Sequence, residues 1–403
     1  MRAISVETFR SQRPSEQRVE VVERKGLGHP DSICDAVAEA ISIALSQEYL
    51  RRFGRVLHHN IDKGLLIAGA VEHDFGGGRQ TQPMRLIIGD RATIEFRGER
   101  VAVGDLAIAT AQDWMRTHLR HVDPVRHLIY ESALAAGSRE LSGIFSRESA
   151  VLGANDTSAA VGYFPLTDAE RAVLATERYL NSGEFKGRFP DTGEDVKVLG
   201  VRTQDRLQLT IAMPLIEKCI SDEAAYFDRK AEIVEAVTRF AEGQRGTLAD
   251  VQVALNHLDR RGRGLDGVYL SLLGTSAEDA DSGEVGRGNR VNGLTSLNRP
   301  ASAEAAPGKN PVSHVGKIYN VLAFRLAERI YREVRGVTEV WVWLCSRIGE
   351  PIDQPAVAAV QYAPEGDGDF ATIQRLTTEL IDAELSAITD FTRDLAAGRY
   401  AVS

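Results

Sequence analysis

From Pro30 onward, Ile33, Val37, Ile41 and Leu45 recur every fourth position with mostly polar or small residues between them. That spacing predicts an amphipathic helix over about residues 30–51. Proline suits its first position, because the N–H it lacks would have no helical partner there. A helix start leaves N–H groups free at the positive end of the dipole, which favours an anion such as phosphate. Asp31 and Asp35 stand one turn apart. They can present oxygen to a hard cation, or equally form a solvated acidic edge.

Alternating patterns predict strands at 56–73 and 84–96 around the turn Gly76-Gly77-Gly78, and a short strand near 127–130. Residues 103–119 have helical periodicity. A hairpin is expected from 196–201 and 207–213. Ser221 reads as the cap of a helix ending near Gly243. Strands at 251–255 and 267–273, a helix at 314–334, a strand at 339–345 and one last amphipathic helix at 370–397 complete the pattern. Strands and helices mix without regular βαβ alternation, so the expected fold class is α+β.

Between the last two thirds of this pattern lies a long region, 274–317, rich in Gly, Ser, Asn and Asp. A loop of that length inside a folded chain is more often functional than idle. Residues 274–290 interleave four carboxylates, four glycines and two arginines. Glycines permit close backbone approach, carboxylates hold Mg²⁺, and arginines grip phosphate oxygens at two points. Lys309, in Pro307-Gly308-Lys309-Asn310-Pro311, precedes a second helix start. Common nucleotide signatures are absent: Asn310 follows Gly308-Lys309, Ala303 stands where a P-loop needs glycine, and Gly286-Arg287-Gly288 lacks a third glycine. Gly153-Ala154-Asn155-Asp156-Thr157 is an Asx-rich turn. His118 and His121 could meet on a helix, but no third metal ligand is evident.

The 403 residues exceed what one core usually holds, so two or three domains are expected. A net charge of −9 argues against nucleic-acid and anionic-membrane partners through bulk electrostatics. Three scattered cysteines without a CxxC pattern read as buried small residues in a reducing compartment, and no apolar run approaches a membrane span, so a cytoplasmic location is expected.

Six blocks, in this order, carry a resemblance: ERKGLGHPDSICD (23–35), LGANDTS (152–158), GEDVKVLG (193–200), GTSAEDADSGEVGRGNRVNG (274–293), GKNPVSHVGKIYN (308–320) and IGEPIDQP (348–355). Together they resemble the S-adenosylmethionine synthetase (methionine adenosyltransferase) family, in its archaeal-type branch. The resemblance implies that methionine sulfur attacks the 5′ carbon of ATP, and that the expelled triphosphate is hydrolysed to phosphate and diphosphate. It implies His29 at the breaking C–O bond, and Lys197, Arg287 and Lys309 on the phosphates. Asp31 and Asp281 are the implied Mg²⁺ ligands, with two ions per site, and Asp281 also contacts substrate. Asp156, Glu72, Gly137, Ser138, Arg290 and Lys317 are implied on the substrate side. Either His314 or Lys317 could replace a second phosphate lysine of the bacterial branch. His58-His59-Asn60 stands where that branch supplies a carboxylate for K⁺, so K⁺ dependence does not follow.

The implied fold is three α+β subdomains about a pseudo-threefold axis, built from non-contiguous segments: 1–26 with 165–270, 27–145 with 271–316, and 146–164 with 317–403. Two chains would pack through flat sheet faces as a homodimer sharing its active sites. The alternative is another Mg-nucleotide-dependent phosphotransferase or ligase using the same loops.

Overall fold

A computed structural model describes residues 2–138, 143, 145, 151–366 and 369–403. Among the described residues, three mixed sheets of four or five strands, each backed by helices, and three two-stranded pairs make up the α+β architecture. The first sheet orders its strands as Gly283–Glu284, His59–Ile67, Met84–Ala92 and Leu128–Ala136. Helices Pro30–Phe53 and Val103–His118 cover it, burying Ile33, Val37, Ile41, Leu45 and Tyr49 against Leu66, Leu86 and Ile88. The expected helix is therefore present. Its proline sits in the first turn, and the Gly54 N–H closes it on the Leu50 carbonyl.

The second sheet runs Asp250–Leu255, Arg206–Ala212, Lys197–Thr203, Val19–Lys25, Thr295–Ser296. Helices Asp168–Leu180 and Glu223–Gly243 back it. In the third, Ile4–Thr8 and Val357–Pro364 lie parallel, followed by Val337–Cys345 and Ala159–Phe164. Helices Val315–Glu333, Phe370–Ser386 and Ile388–Ala396 supply its cover.

One connectivity occurs three times. A helix leads into an antiparallel pair, and a further strand then joins parallel to the second member of that pair. In the first two sheets an intervening helix makes the crossover that parallel pairing requires. The third instead takes its parallel strand from Ile4–Thr8. The expected grouping of 1–26 with 165–270 is thereby split, since Ile4–Thr8 joins the third sheet and only Val19–Lys25 the second.

Local differences have local causes. The 56–73 run is a strand only from His59 to Ile67, with an irregularity between Asn60 and Lys63, and a separate short pair begins at Ala70. The 127–130 strand extends to Ala136 because the Met84–Ala92 strand pairs along its whole length. Asp222, not Ser221, caps the next helix through the Ala225 N–H. Of 267–273 only Leu270–Ser271 pairs as strand. The last helix is two, broken at Ala387.

Candidate active site

The 30–53 helix presents Asp31, Asp35, Glu39 and Ser42 at spacings of four, four and three, which places them on one face. The long loop lies along that face, held by its amides. Asp31 Oδ1 accepts the Glu284 N–H at 2.9 Å. Asp35 accepts Gly286 N–H at 2.7 Å and Gly288 N–H at 3.1 Å. Glu39 accepts Gly308 N–H at 3.0 Å, and Ser42 Oγ donates to the Lys309 carbonyl at 3.0 Å. Buried carboxylates supplied with N–H donors in this way replace the water they have lost.

At the head of the helix, His29 Nδ1 accepts the Asp31 N–H at 3.2 Å. Burial, reinforced by the Lys25 ammonium, pushes its pKa down to about 4. The ring is thus neutral near pH 7, and because Nδ1 is the acceptor its proton resides on Nε2. Burial opposes ionisation of Asp31, but the Lys25 ammonium at 2.8 Å and the Glu284 N–H outweigh it and hold the carboxyl below its usual range.

Lys25 and Lys197 are direct cross-strand partners, which puts two ammonium-bearing side chains on one face of the sheet. Like charges so placed oppose folding unless anions compensate them. Asp31 answers Lys25, and Glu23 lies 3.1 Å from Lys197. Lys25 also donates to the Arg287 carbonyl at 2.6 Å. The exposed guanidinium of Arg287 has no ion pair or hydrogen bond among the described residues. Asp281 is exposed, and its charge and that of Lys197 both act on His29.

The Gly26–Gly28 turn holds this group against two other loops. Gly28 N–H donates to Glu194 O at 2.9 Å, and its carbonyl accepts Thr275 Oγ1 at 2.7 Å. A Cβ at Gly28 would meet the Asp195 nitrogen at 2.5 Å, so only glycine fits. Asp195 accepts both Ser276 N–H at 2.8 Å and Ser276 Oγ at 2.5 Å, while burial pushes its pKa up to about 6.

A second group lies farther along the helix, about 12 Å from Asp31 by helical rise to Glu39. Buried Lys309 is paired with Asp62 and lies 3.4 Å from Glu304. Fully buried Lys317 donates to Glu39 at 2.6 Å. His314 caps the 315–333 helix, its Nδ1 accepting the Gly316 N–H at 3.2 Å, and burial then Lys309 lower its pKa to about 3. Asp156 is half-buried in the loop whose Asn155 N–H donates to the Ser313 carbonyl at 3.2 Å.

The structure therefore brings His29, Asp31, Lys197, Asp281 and the Arg287 backbone together, and gathers Lys309, Lys317 and the Asp156 loop separately. Arg290 borders a small enclosed space with Asp35, Arg299 and Glu304. Glu72 is exposed and pairs with Arg79 at 2.7 Å. Gly137 and Ser138 follow the Leu128–Ala136 strand, where Gly137 shares a recess with His58 and Thr93.

Among the described residues, the His and carboxylate grouping spaced for a metal is His73, Glu217 and Glu278, and it does not include Asp31. Both ring nitrogens of His73 are engaged, by Asp279 at 2.6 Å and by Glu217. These partners push its pKa up to about 10, as expected of an imidazolium bridging two carboxylates. Sequence reasoning missed Lys25 and Asp195. Both lie inside the quoted blocks, but each shows its importance only through a partner distant in sequence.

A family model described as S-adenosylmethionine synthetase (AdoMet synthetase) matches residues 2–399. The S-adenosylmethionine synthase of Methanothrix thermoacetophila is 48% identical over 96% of each chain. That of Aeropyrum pernix is 44% identical over 100% of this chain and 99% of its own. A solved S-adenosylmethionine synthetase from Campylobacter jejuni shares the fold, with a TM-score of 0.58 at 13% identity over 94% of both chains. Fold and relatives together define an α+β enzyme of the transferase class. More narrowly, the chain belongs to the S-adenosylmethionine synthetase family. None of its described helices is long and apolar enough to cross a membrane.

Proposed function

We propose that the chain forms S-adenosylmethionine from ATP and L-methionine, releasing phosphate and diphosphate. The observation that carries this reading is the Lys25–Lys197 pair beside a neutral histidine, with the Arg287 guanidinium left free. Sulfur forms a bond to the ribose 5′ carbon as the carbon–oxygen bond breaks, and the electron pair leaves on triphosphate. His29 Nε2–H is a neutral donor for the oxygen on which charge develops. Such donors gain strength as charge builds, and removing one costs about 3–4 kcal/mol of transition-state stabilisation. Lys197, Arg287 and Lys309 line the phosphates, Arg287 orienting triphosphate for attack by water.

The donor set suits Mg²⁺: carboxylate oxygen from Asp31 and Asp281, beside a site built for phosphate oxygen. When bound, Mg²⁺ neutralises polyphosphate charge. Lys25 occupies the Asp31 oxygen at present and would turn toward phosphate as that oxygen is used. Of the three cysteines expected to be buried, Cys34 is, Cys345 is half-buried and Cys219 is exposed; as free thiols they fit a reducing, cytoplasmic setting.

The separation of the two groups within one chain supports a homodimer in which each site takes His29 from one chain and Lys309 from the other. Half-exposed faces of the sheets suit such packing: Leu65 and Ile129 on the first, Trp341 and Trp343 on the third. Purified protein with ATP, methionine and Mg²⁺ should yield S-adenosylmethionine, phosphate and diphosphate. Release of ADP or AMP instead would favour the phosphotransferase or ligase reading. Mixing inactive His29→Ala and Lys309→Ala chains should restore part of the activity; a mixture as inactive as its components would remove the shared site.

A further inference from the structure

Asp35 is buried one turn beyond Asp31, and both its oxygens are committed to backbone amides, Gly286 at 2.7 Å and Gly288 at 3.1 Å. The Gly288 N–H belongs to the peptide unit whose carbonyl is that of Arg287, and that carbonyl accepts Lys25 Nζ at 2.6 Å. One peptide plane is therefore gripped on both edges, by Asp35 and by Lys25. Asp35 holds the amide of residue 286 as well, so the chain is fixed on either side of Arg287. A Cβ on Gly288 would come within 2.1 Å of Asp35 Oδ2, so the carboxylate reaches this backbone only across glycine. The guanidinium that this backbone carries is exposed and has no partner among the described residues.

Burial pushes the Asp35 carboxyl up to about 7, and the Gly286 and Gly288 N–H groups oppose that shift by favouring its charged form. The side chain of Arg287 departs from a Cα whose neighbours are pinned, so its direction is set by that clamp.

We infer that Asp35 is a positioning residue that acts through Arg287, aiming its guanidinium at the bound polyphosphate. This inference rests on the reading of Arg287 as the group that orients triphosphate, and it assigns the hydrolytic half of the reaction to the clamp. Hydrolysis breaks a P–O bond of triphosphate and joins water oxygen to the released phosphate. No other reactant is needed.

The test separates the two half-reactions. Asp35→Asn keeps the shape of the side chain but turns an NH₂ group toward one of the two amides. It should leave single-turnover formation of S-adenosylmethionine near the parent rate. Hydrolysis of added inorganic triphosphate should slow between about 10- and 100-fold, the scale of a misplaced catalytic group, with triphosphate accumulating during turnover. In an Arg287→Leu background the same change should have no further effect on hydrolysis, because its route of action is gone. Equal loss in both half-reactions, an unaltered hydrolysis rate, or a full additional loss in the Arg287→Leu background would each overturn the inference. Should Asp35→Asn fail to fold, Gly288→Ala disturbs the same clamp from the loop side and carries the same expectations. Failure of the underlying reading looks different: the parent protein itself would then form no S-adenosylmethionine or leave added triphosphate intact.

Discussion

The two histidine-capped helix starts, at Pro30 and at Val315, share one local geometry and differ in their charges. Each imidazole accepts the amide two residues on through Nδ1, and each is kept neutral by burial. Around His29, Lys25 pairs with Asp31 and Lys197, directly opposite it, with the partly exposed Glu23, while Arg287 is open. Around His314 the two buried lysines pair with buried carboxylates, Lys317 with Glu39 and Lys309 with Asp62, which Lys63 shares. The fully buried Lys317–Glu39 pair maintains the fold, whereas the open Arg287 guanidinium is available to a ligand. The same residue type therefore does two jobs, and neighbouring carboxylates decide which.

The comparison is broken most directly at Lys317. Lys317→Met leaves Glu39 buried without its cation and should cost about 3–5 kcal/mol of stability, read by urea unfolding. Lys197→Met, at a partly exposed pair, should change stability by about 0.5 kcal/mol or less while raising the KM for ATP. Similar unfolding midpoints for the two variants would erase the distinction between buried and partly exposed lysine pairs. Next comes His29→Ala, expected to lower kcat about 10²- to 10³-fold, with ATP binding largely kept. Its counterpart His314→Ala should lower kcat less, and an equal loss would make the two starts chemically equivalent. Each also removes a helix cap, for about 1 kcal/mol of stability.

The smallest effect concerns His73, which ties Asp279 of the long loop to Glu217. Its folded pKa is raised from 6.5 to about 10. The stabilisation is therefore complete below pH 6.5 and is lost as pH rises through about 10. Thermal melts between pH 7 and 10 should slope downward more steeply for the parent than for His73→Gln. Parallel slopes would remove the imidazolium bridge from the account.

Much of this was legible in the chain. The fourfold spacing from Ile33 to Leu45 marked the helix, and the length and glycine content of 274–317 marked the loop that lies on it. The α+β class followed from irregular alternation, and the six blocks pointed to the family. The helix at Asp168–Leu180 was missed because its buried face is largely Ala169, Ala172, Val173 and Thr176, too small and too polar to stand out. Lys25 ends a strand in which a lysine reads as solvent-facing; only register with a strand far along the chain sets it opposite Lys197. Asp35 looked like a possible cation ligand. Its oxygens are instead taken by amides some 250 residues away, a fact of folding that no local spacing encodes. The threefold recurrence of one connectivity left no sequence repeat, because pairing order can persist while side chains diverge.

Closure of the third sheet by Ile4–Thr8 sets an order of events during synthesis. Its partner Val357–Pro364 is made about 350 residues later, which at bacterial-to-eukaryotic elongation speeds is roughly 20–70 s. Throughout that interval the early strand has open backbone groups and no native neighbour, while the other two sheets can acquire their strands. A nascent chain thus carries this strand unpaired until Val357–Pro364 is made. Chaperone contact with Ile4–Thr8 would be the natural guard over it.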